Sequence, residues 1–291
     1  MQAALALCRC VHYLAAIGLF GAQLYVWALA PPALATALAP ALRRIGALAI
    51  PFAALSALAW LSLEAATMSE SWPALFDRAT IGSVLSDTAF GAAWRWRLAI
   101  AGALLIALAL RRDGASALMV GLAALLLASL ALVGHATLGV DPAGLVHRAN
   151  DALHLLAAGA WLGGLPMFAL SLAACGDPAL RDPATRATAR FSYWGQFDVG
   201  LLIATGFANV GFTSGWTIAA PLTTYRALLA AKLVLVAGMV ALALFNRIRL
   251  APRLKVEAPA QRLLRHNALI EVALGAAVVA LVSLFGLLDP S

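Results

Sequence analysis

Eight runs of roughly twenty apolar residues, each closed off by charge, Pro or Gly, leave this chain few ways to fold. They lie at approximately 5–30, 45–67, 96–111, 116–135, 148–174, 191–213, 225–247 and 267–288. At ~1.5 Å of rise per residue a run of this length as a helix crosses the ~30 Å apolar core of a bilayer. Ala and Leu, both good helix formers, dominate every run, and the alternation of a membrane β-barrel strand is missing. The chain is 63% hydrophobic and 11% charged over 291 residues, a composition foreign to soluble domains. The expected fold is all-α: a polytopic membrane protein built as a bundle of eight transmembrane helices. There is no internal repeat or separate soluble domain, so residues 1–291 are read as one integral membrane domain.

Basic residues give the expected orientation, because short loops rich in Lys and Arg stay in the cytoplasm. The links after spans one, three, five and seven hold Arg43 and Arg44, Arg111 and Arg112, Arg181, Arg186 and Arg190, and a run of six from Arg247 to Arg265, thirteen of the twenty Lys and Arg. The opposite side mixes Arg9, Arg78, Arg95, Arg97, Arg148 and Arg226 with acids such as Glu64, Glu70 and Asp87. Both termini are therefore expected outside. The net charge of +7 reflects this asymmetry and contact with the inner leaflet of the lipid bilayer. Nucleic acid is excluded as a partner, since no basic stretch is interleaved with stacking aromatics.

Ala28-Leu29-Ala30 resembles a signal-peptide cleavage site, but the first run lacks a basic n-region and exceeds the ~7–15 residues of an apolar signal core. It is expected to remain as the first helix. The longest outer segment, 68–95, carries Trp72, Leu75, Phe76 and Ala79 at i, i+3, i+4 and i+7, the pattern of a short amphipathic helix on the membrane surface. Gly159 and Gly163 form a small-xxx-small pair suited to close helix packing.

Chemistry concentrates at the outer end. His147, Asp151 and His154 are spaced i, i+4 and i+7 and share one helix face, with His154 about 10 Å below His147. His12, on the first span, falls at a similar depth. His135 ends the fourth span within Gly134-His135-Ala136. Three imidazoles from three helices, His12, His135 and His154, can thus converge, with His147 and Asp151 as an entrance above them. Asp151 either orients an imidazole or pairs with Arg148. Imidazole suits copper, zinc and nickel, while thiolate and thioether favour Cu(I). Cys8, Cys10 and Met68 offer those softer groups at the same end, although small packing residues are the plainer reading of both cysteines. Three cysteines, with Cys175 on the other side, make no disulfide framework.

Gly134-His135-Ala136, the His147-to-His154 segment running into Ala160-Trp161-Leu162-Gly163-Gly164-Leu165, and Phe245-Asn246-Arg247 resemble the copper resistance protein D family. The resemblance covers nearly the whole chain and is densest over 130–291. It implies a multi-pass protein of the bacterial inner membrane that takes a copper ion, Cu(I) or Cu(II), from the periplasm and moves it into the cytoplasm, beside a soluble periplasmic copper-carrier protein. A fused carrier domain and a Met-rich outer loop are not found in this sequence.

A route across the membrane needs polar groups. Glu64 and Asn209 lie towards the outer end, whereas Asp198, Asn246 and Glu271 lie towards the inner one. Buried acids usually have a partner or a task, while Met167 and Met239 are adequately explained as packing. No ATP-binding loop or phosphorylation motif is present, no catalytic residues are assigned, and the chain is not expected to be an enzyme. Two other readings fit the same residues. One is a membrane b-type cytochrome with His12 and His154 as axial haem ligands; the other is a copper chaperone or assembly factor that does not transport.

Overall fold

A computed structural model describes residues 1–112, 114–133, 142–214, 223–253 and 258–288. Nearly all of them are helical, and no strand occurs among them. The elements in order are α1 (Gln2–Leu24), extended by a π-helical turn Tyr25–Leu29; α2 (Pro32–Met68); a 3₁₀ turn Trp72–Leu75; α3 (Arg78–Asp87); α4 (Ala89–Ala109); and α5 (Ala117–Ala128), extended by a 3₁₀ turn Ser129–Leu132. Next come α6 (Pro142–Ala174), α7 (Arg181–Ser214), α8 (Thr224–Phe245) with a second π-helical turn Asn246–Leu250, and α9 (Ala258–Phe285).

Each expected span falls on one of these helices, yet six helices are long and apolar enough to cross a membrane: α1, α2, α4, α6, α8 and α9 with their extensions. The segment Ala117–Leu132 is apolar but short. Helix α7 has the length, but Arg181, Asp182, Arg186 and Arg190 open it, and Gln196, Asp198 and Asn209 interrupt the rest. The helices also overrun the apolar runs. Helix α2 begins thirteen residues before position 45 and carries Arg43 and Arg44 within it, with Pro at its first turn where a missing N–H costs nothing.

The stripe Trp72–Ala79, expected on the outer surface, is not one helix. Pro73 starts a single 3₁₀ turn, the chain leaves helical geometry at Phe76, and Asp77 then caps α3 by accepting from the backbone N–H groups of Ala79 and Thr80. A side chain that caps a new helix terminates the old pattern. Phe76 is left 86% exposed.

Two packed cores hold the bundle. One joins α1, α2, α4 and α5 around Leu19, Ile50, Trp60, Trp94, Leu104 and Leu126. The other joins the end of α1 and the start of α2 to α6, α7 and α9 around Tyr25, Leu42, Leu165, Phe168 and Phe191. Both meet along α1 and α6, where glycines let the backbones touch. A Cβ on Gly163 would lie 2.0 Å from the Ile17 carbonyl oxygen, and one on Gly21 would lie 2.4 Å from the Gly159 carbonyl oxygen. Lipid offers no hydrophobic drive between helices, so this close van der Waals approach is what binds them. By contrast α8 buries little: 6% of its apolar window is covered.

Candidate functional site

Alternating helix direction brings the start of α1, the end of α2 and the start of α6 to one end of the bundle. Contacts close that end: Arg9 donates to the Gly286 carbonyl at 3.0 Å, and the Tyr225 and Phe285 rings meet at 5.4 Å. His12 lies here, fully buried. Its Nδ1 is 3.1 Å from the Ala53 carbonyl oxygen and 2.9 Å from Ser56 Oγ, both on α2. A carbonyl can only accept, so Nδ1 carries the proton and Nε2 carries the lone pair. That Nε2 is buried and has no hydrogen-bond partner. The Trp60 ring stands edge-on to the imidazole at 5.9 Å.

Around His12 the polar groups are tied up locally. Cys8 Sγ donates to the Ser56 carbonyl at 3.2 Å, so Cys8 and His12 share one residue of α2. Cys8, Cys10 and Cys175 are free thiols, Cys10 is half-buried against the first core, and Met68 is 52% exposed at the end of α2. Glu64 is hydrogen-bonded to Trp60. Arg97, counted among the basic residues of the outer side, is buried to 1% exposure in α4. Its Nε and Nη2 donate to Ser129 Oγ at 3.2 and 3.0 Å, and its plane lies 4.4 Å from the Trp94 ring centre and 6.0 Å from that of Trp60. Its Nη1 is buried without a partner.

The histidines of α6 belong to a second network, shared with α7. His154 Nδ1 donates to Thr205 Oγ at 3.0 Å, because that hydroxyl already donates to the Leu201 carbonyl. Asn150 donates to the Thr205 carbonyl and to Asn209 Oδ1, and Asn209 donates to Asp151 at 3.1 Å. His147 stacks on Phe212 at 4.8 Å. Lys232 of α8 lies beside this network, 5.8 Å from the Phe285 ring centre.

The structure thus joins His147, Asp151, His154 and Asn209 across α6 and α7, and turns the Nδ1 side of His12 towards α2. His135 and its Gly-His-Ala motif lie outside the described residues. Among the described residues no group of three or more His, Cys, Asp or Glu is placed to hold a metal ion.

Further along the bundle, Asn246 opens the second π-helical turn and donates to Glu271 at 2.9 Å, while Asn267 donates to Asn246 at 2.6 Å. Trp161 of α6 also bonds Glu271, which is 3% exposed. Asp198 is half-buried on α7. Sequence reasoning missed Trp60, Ser56, Arg97, Ser129, Thr205 and Asn267. For Arg97 a signal existed, since Trp94 and Arg97 stand at i and i+3 and share a helix face.

The comparisons agree along the whole chain. Residues 1–145 match the family described as copper resistance protein D-like, N-terminal domain, and residues 185–285 match copper resistance protein D. The chain is 33% identical over 286 residues to the inner membrane protein YebZ of Escherichia coli (strain K12), covering 97% of each. It is 32% identical over 219 residues to the copper resistance protein D of Pseudomonas syringae pv. tomato, covering 71% of each. No solved structure matches it. With its apolar helices, these relatives make it a multi-pass protein of the inner membrane, and the chain belongs to the copper resistance protein D family.

Proposed function

We propose that this single membrane domain, with eight spans and both termini in the periplasm, binds copper at its outer end and passes it inward to the cytoplasm. His12, His135 and His154 hold the ion, His147 and Asp151 form the entrance, and Cys8, Cys10 and Met68 supply softer contacts on the way in. A periplasmic carrier protein delivers the metal. Glu64 and Asn209 on the outer side, then Asp198, Asn246 and Glu271, provide the polar route.

One observation carries this reading: the bare, buried Nε2 of His12. Metal-binding imidazoles typically donate their other N–H to a carbonyl or carboxylate, which fixes the tautomer and aims the lone pair. His12 has that arrangement through Ala53, in a buried site where an unused acceptor is costly. His154, with Nδ1 on Thr205, presents the same tautomer. The test is copper stoichiometry by mass spectrometry on protein purified without chelators. His12→Ala, His135→Ala and His154→Ala should each lose most of the copper and His147→Ala much less. Equal retention by His12→Ala and His154→Ala refutes the assignment.

The same bare nitrogen suits an axial haem ligand, so a b-type cytochrome is the second reading. A Soret band in purified protein supports it and a colourless preparation removes it. Copper uptake into proteoliposomes separates a transporter from a chaperone that keeps its metal outside.

A further inference from the structure

At the end of the bundle opposite His12, a cavity of about 260 Å³ lies between the π-helical turn of α1, the first turns of α2 and the link from α4 to α5. Small residues open it: Ala35, Ala39, Gly114 and Ala115 make up half of its lining, and a Cβ on Gly114 would meet nothing within 4 Å. Close-packed proteins hold few spaces much larger than a water. A water needs about two to four polar partners, so a mostly apolar lining of this size suits an amphiphile better than a water cluster. Two polar side chains, Thr36 and Arg43, reach the lining. The Thr36 hydroxyl donates to the Pro32 carbonyl at 3.0 Å, whereas no described residue accepts from Arg43. The group that the cavity offers a ligand is therefore a guanidinium.

Charge around this cavity is one-sided. Arg44 follows Arg43 on α2, and Arg111 and Arg112 come just before Gly114 in the link, against Asp113 as the acid of that link. Helix α4 ends in a turn that glycine usually makes: the Arg112 amide donates to the Ala107 carbonyl at 2.8 Å, the Arg111 amide to the Leu108 carbonyl at 3.0 Å, and Arg111 takes a φ of 54°. A basic residue thus stands where glycine would be unstrained. Guanidinium groups grip phosphate oxygens through paired N–H donors, and the same cluster repels an ammonium. Beyond Arg44, at i+4, i+8 and i+11, Leu48, Phe52 and Leu55 are exposed, an apolar track leading from the arginines along α2.

We propose that this cavity is a binding site for an anionic phospholipid of the leaflet at this end of the bundle. Its phosphate lies on Arg43, its glycerol headgroup fills the space left by the small side chains, and its acyl chains follow Leu48, Phe52 and Leu55. Arg44, Arg111 and Arg112 supply the field that selects an anionic headgroup over a zwitterionic one. The site goes beyond the copper reading and does not depend on it.

The experiment is native mass spectrometry of the full chain in detergent, titrated with phosphatidylglycerol and with phosphatidylethanolamine of the same acyl chains. The first phosphatidylglycerol should bind at least about fivefold tighter than the first phosphatidylethanolamine, the weight of roughly one basic residue at a membrane surface. Arg43→Gln should remove that preference, and Ala39→Leu, which fills the space and keeps every charge, should weaken the lipid as much. Arg262→Gln, at an exposed position of α9 outside the lining, should leave it unchanged. Equal binding of the two lipids by the unaltered protein overturns the proposal. A loss with Arg262→Gln as large as with Arg43→Gln makes the attraction a diffuse property of the basic face, and the cavity is then not the site. Displacement of the lipid by millimolar inorganic phosphate would make the occupant a soluble phosphate compound, which also overturns it. Arg43 is exposed, so its substitution tests binding without disturbing the core.

Discussion

Replacing Gly163 by Ala adds a single methyl group at the tightest point of the bundle. Its carbon would fall 2.0 Å from the Ile17 carbonyl oxygen and 3.1 Å from the Gly21 Cα, both backbone atoms of α1. Ordinary contact begins near 3.4 Å, so α1 and α6 have to part by about 1.4 Å, because no side chain is available to swing aside. Overpacking of this kind costs about 3 kcal/mol. Ala gains back about 0.5–1 kcal/mol of helix propensity over Gly. The net loss is about 2 kcal/mol, roughly thirty-fold in the folding equilibrium. Gly102→Ala in α4 is the matched control, since nothing lies within 4 Å of its added carbon, and it should be neutral or slightly stabilising. Reversible unfolding in mixed micelles with increasing dodecyl sulfate measures both. If Gly163→Ala proves as stable as Gly102→Ala, the helices are not in backbone contact there and the reasoning fails.

Asp198→Asn and Glu271→Gln keep side-chain shape and remove charge, so copper should still load at the outer end while cytoplasmic accumulation falls; import at the unaltered rate by both variants would make these acids structural. Cysteine introduced at position 185 should react only with membrane-permeant reagents, and labelling from the periplasm would reverse the topology. Hydrogen bonds from the Thr80 hydroxyl and the Thr80 and Ala79 amides hold the exposed Asp77 carboxylate below its usual range. A lowered folded-state value means the cap contributes fully above the unfolded pKa near 4 and is lost as pH falls through the lower folded value. The protection factors of the α3 amides, measured against their intrinsic rates, should therefore be steady from pH 7 to 5 and fall below about pH 4, and Asp77→Ala should remove that step.

Helix type was legible throughout, because apolar length and Ala/Leu content act locally. What failed was the placing of charge at helix boundaries. Arg95 and Arg97 are two residues apart in Trp94-Arg95-Trp96-Arg97, roughly 200° around a helix, so only one can face the core. The structure sends Arg95 to the Leu85 carbonyl at the surface and Arg97 inward to Ser129. Trp94, three residues before Arg97 on the same face, is the local hint; the partner that fixes the choice, Ser129, lies thirty-two residues on. The stripe of His147, Asp151 and His154 was readable from spacing alone, whereas its partners Thr205 and Asn209 come from a helix more than fifty residues away. His12 was singled out because an ionisable group in an apolar run is costly. Its tautomer followed only once the Ala53 carbonyl was placed beside it.

The glycine contact between α1 and α6 also sets which helices of the bundle are locked together. Two backbones in direct touch, with carbonyl oxygens seated where side chains would otherwise be, cannot slide by a helical turn without colliding, so this pair is held in register. Helix α8, with Tyr225 and Met239 as its buried side chains, packs mainly on α9 and ends in a π-helical turn at Asn246, the Glu271 partner. The α1–α6 seam is thus the fixed reference of the bundle, and α8 is the least buried of its six candidate spans.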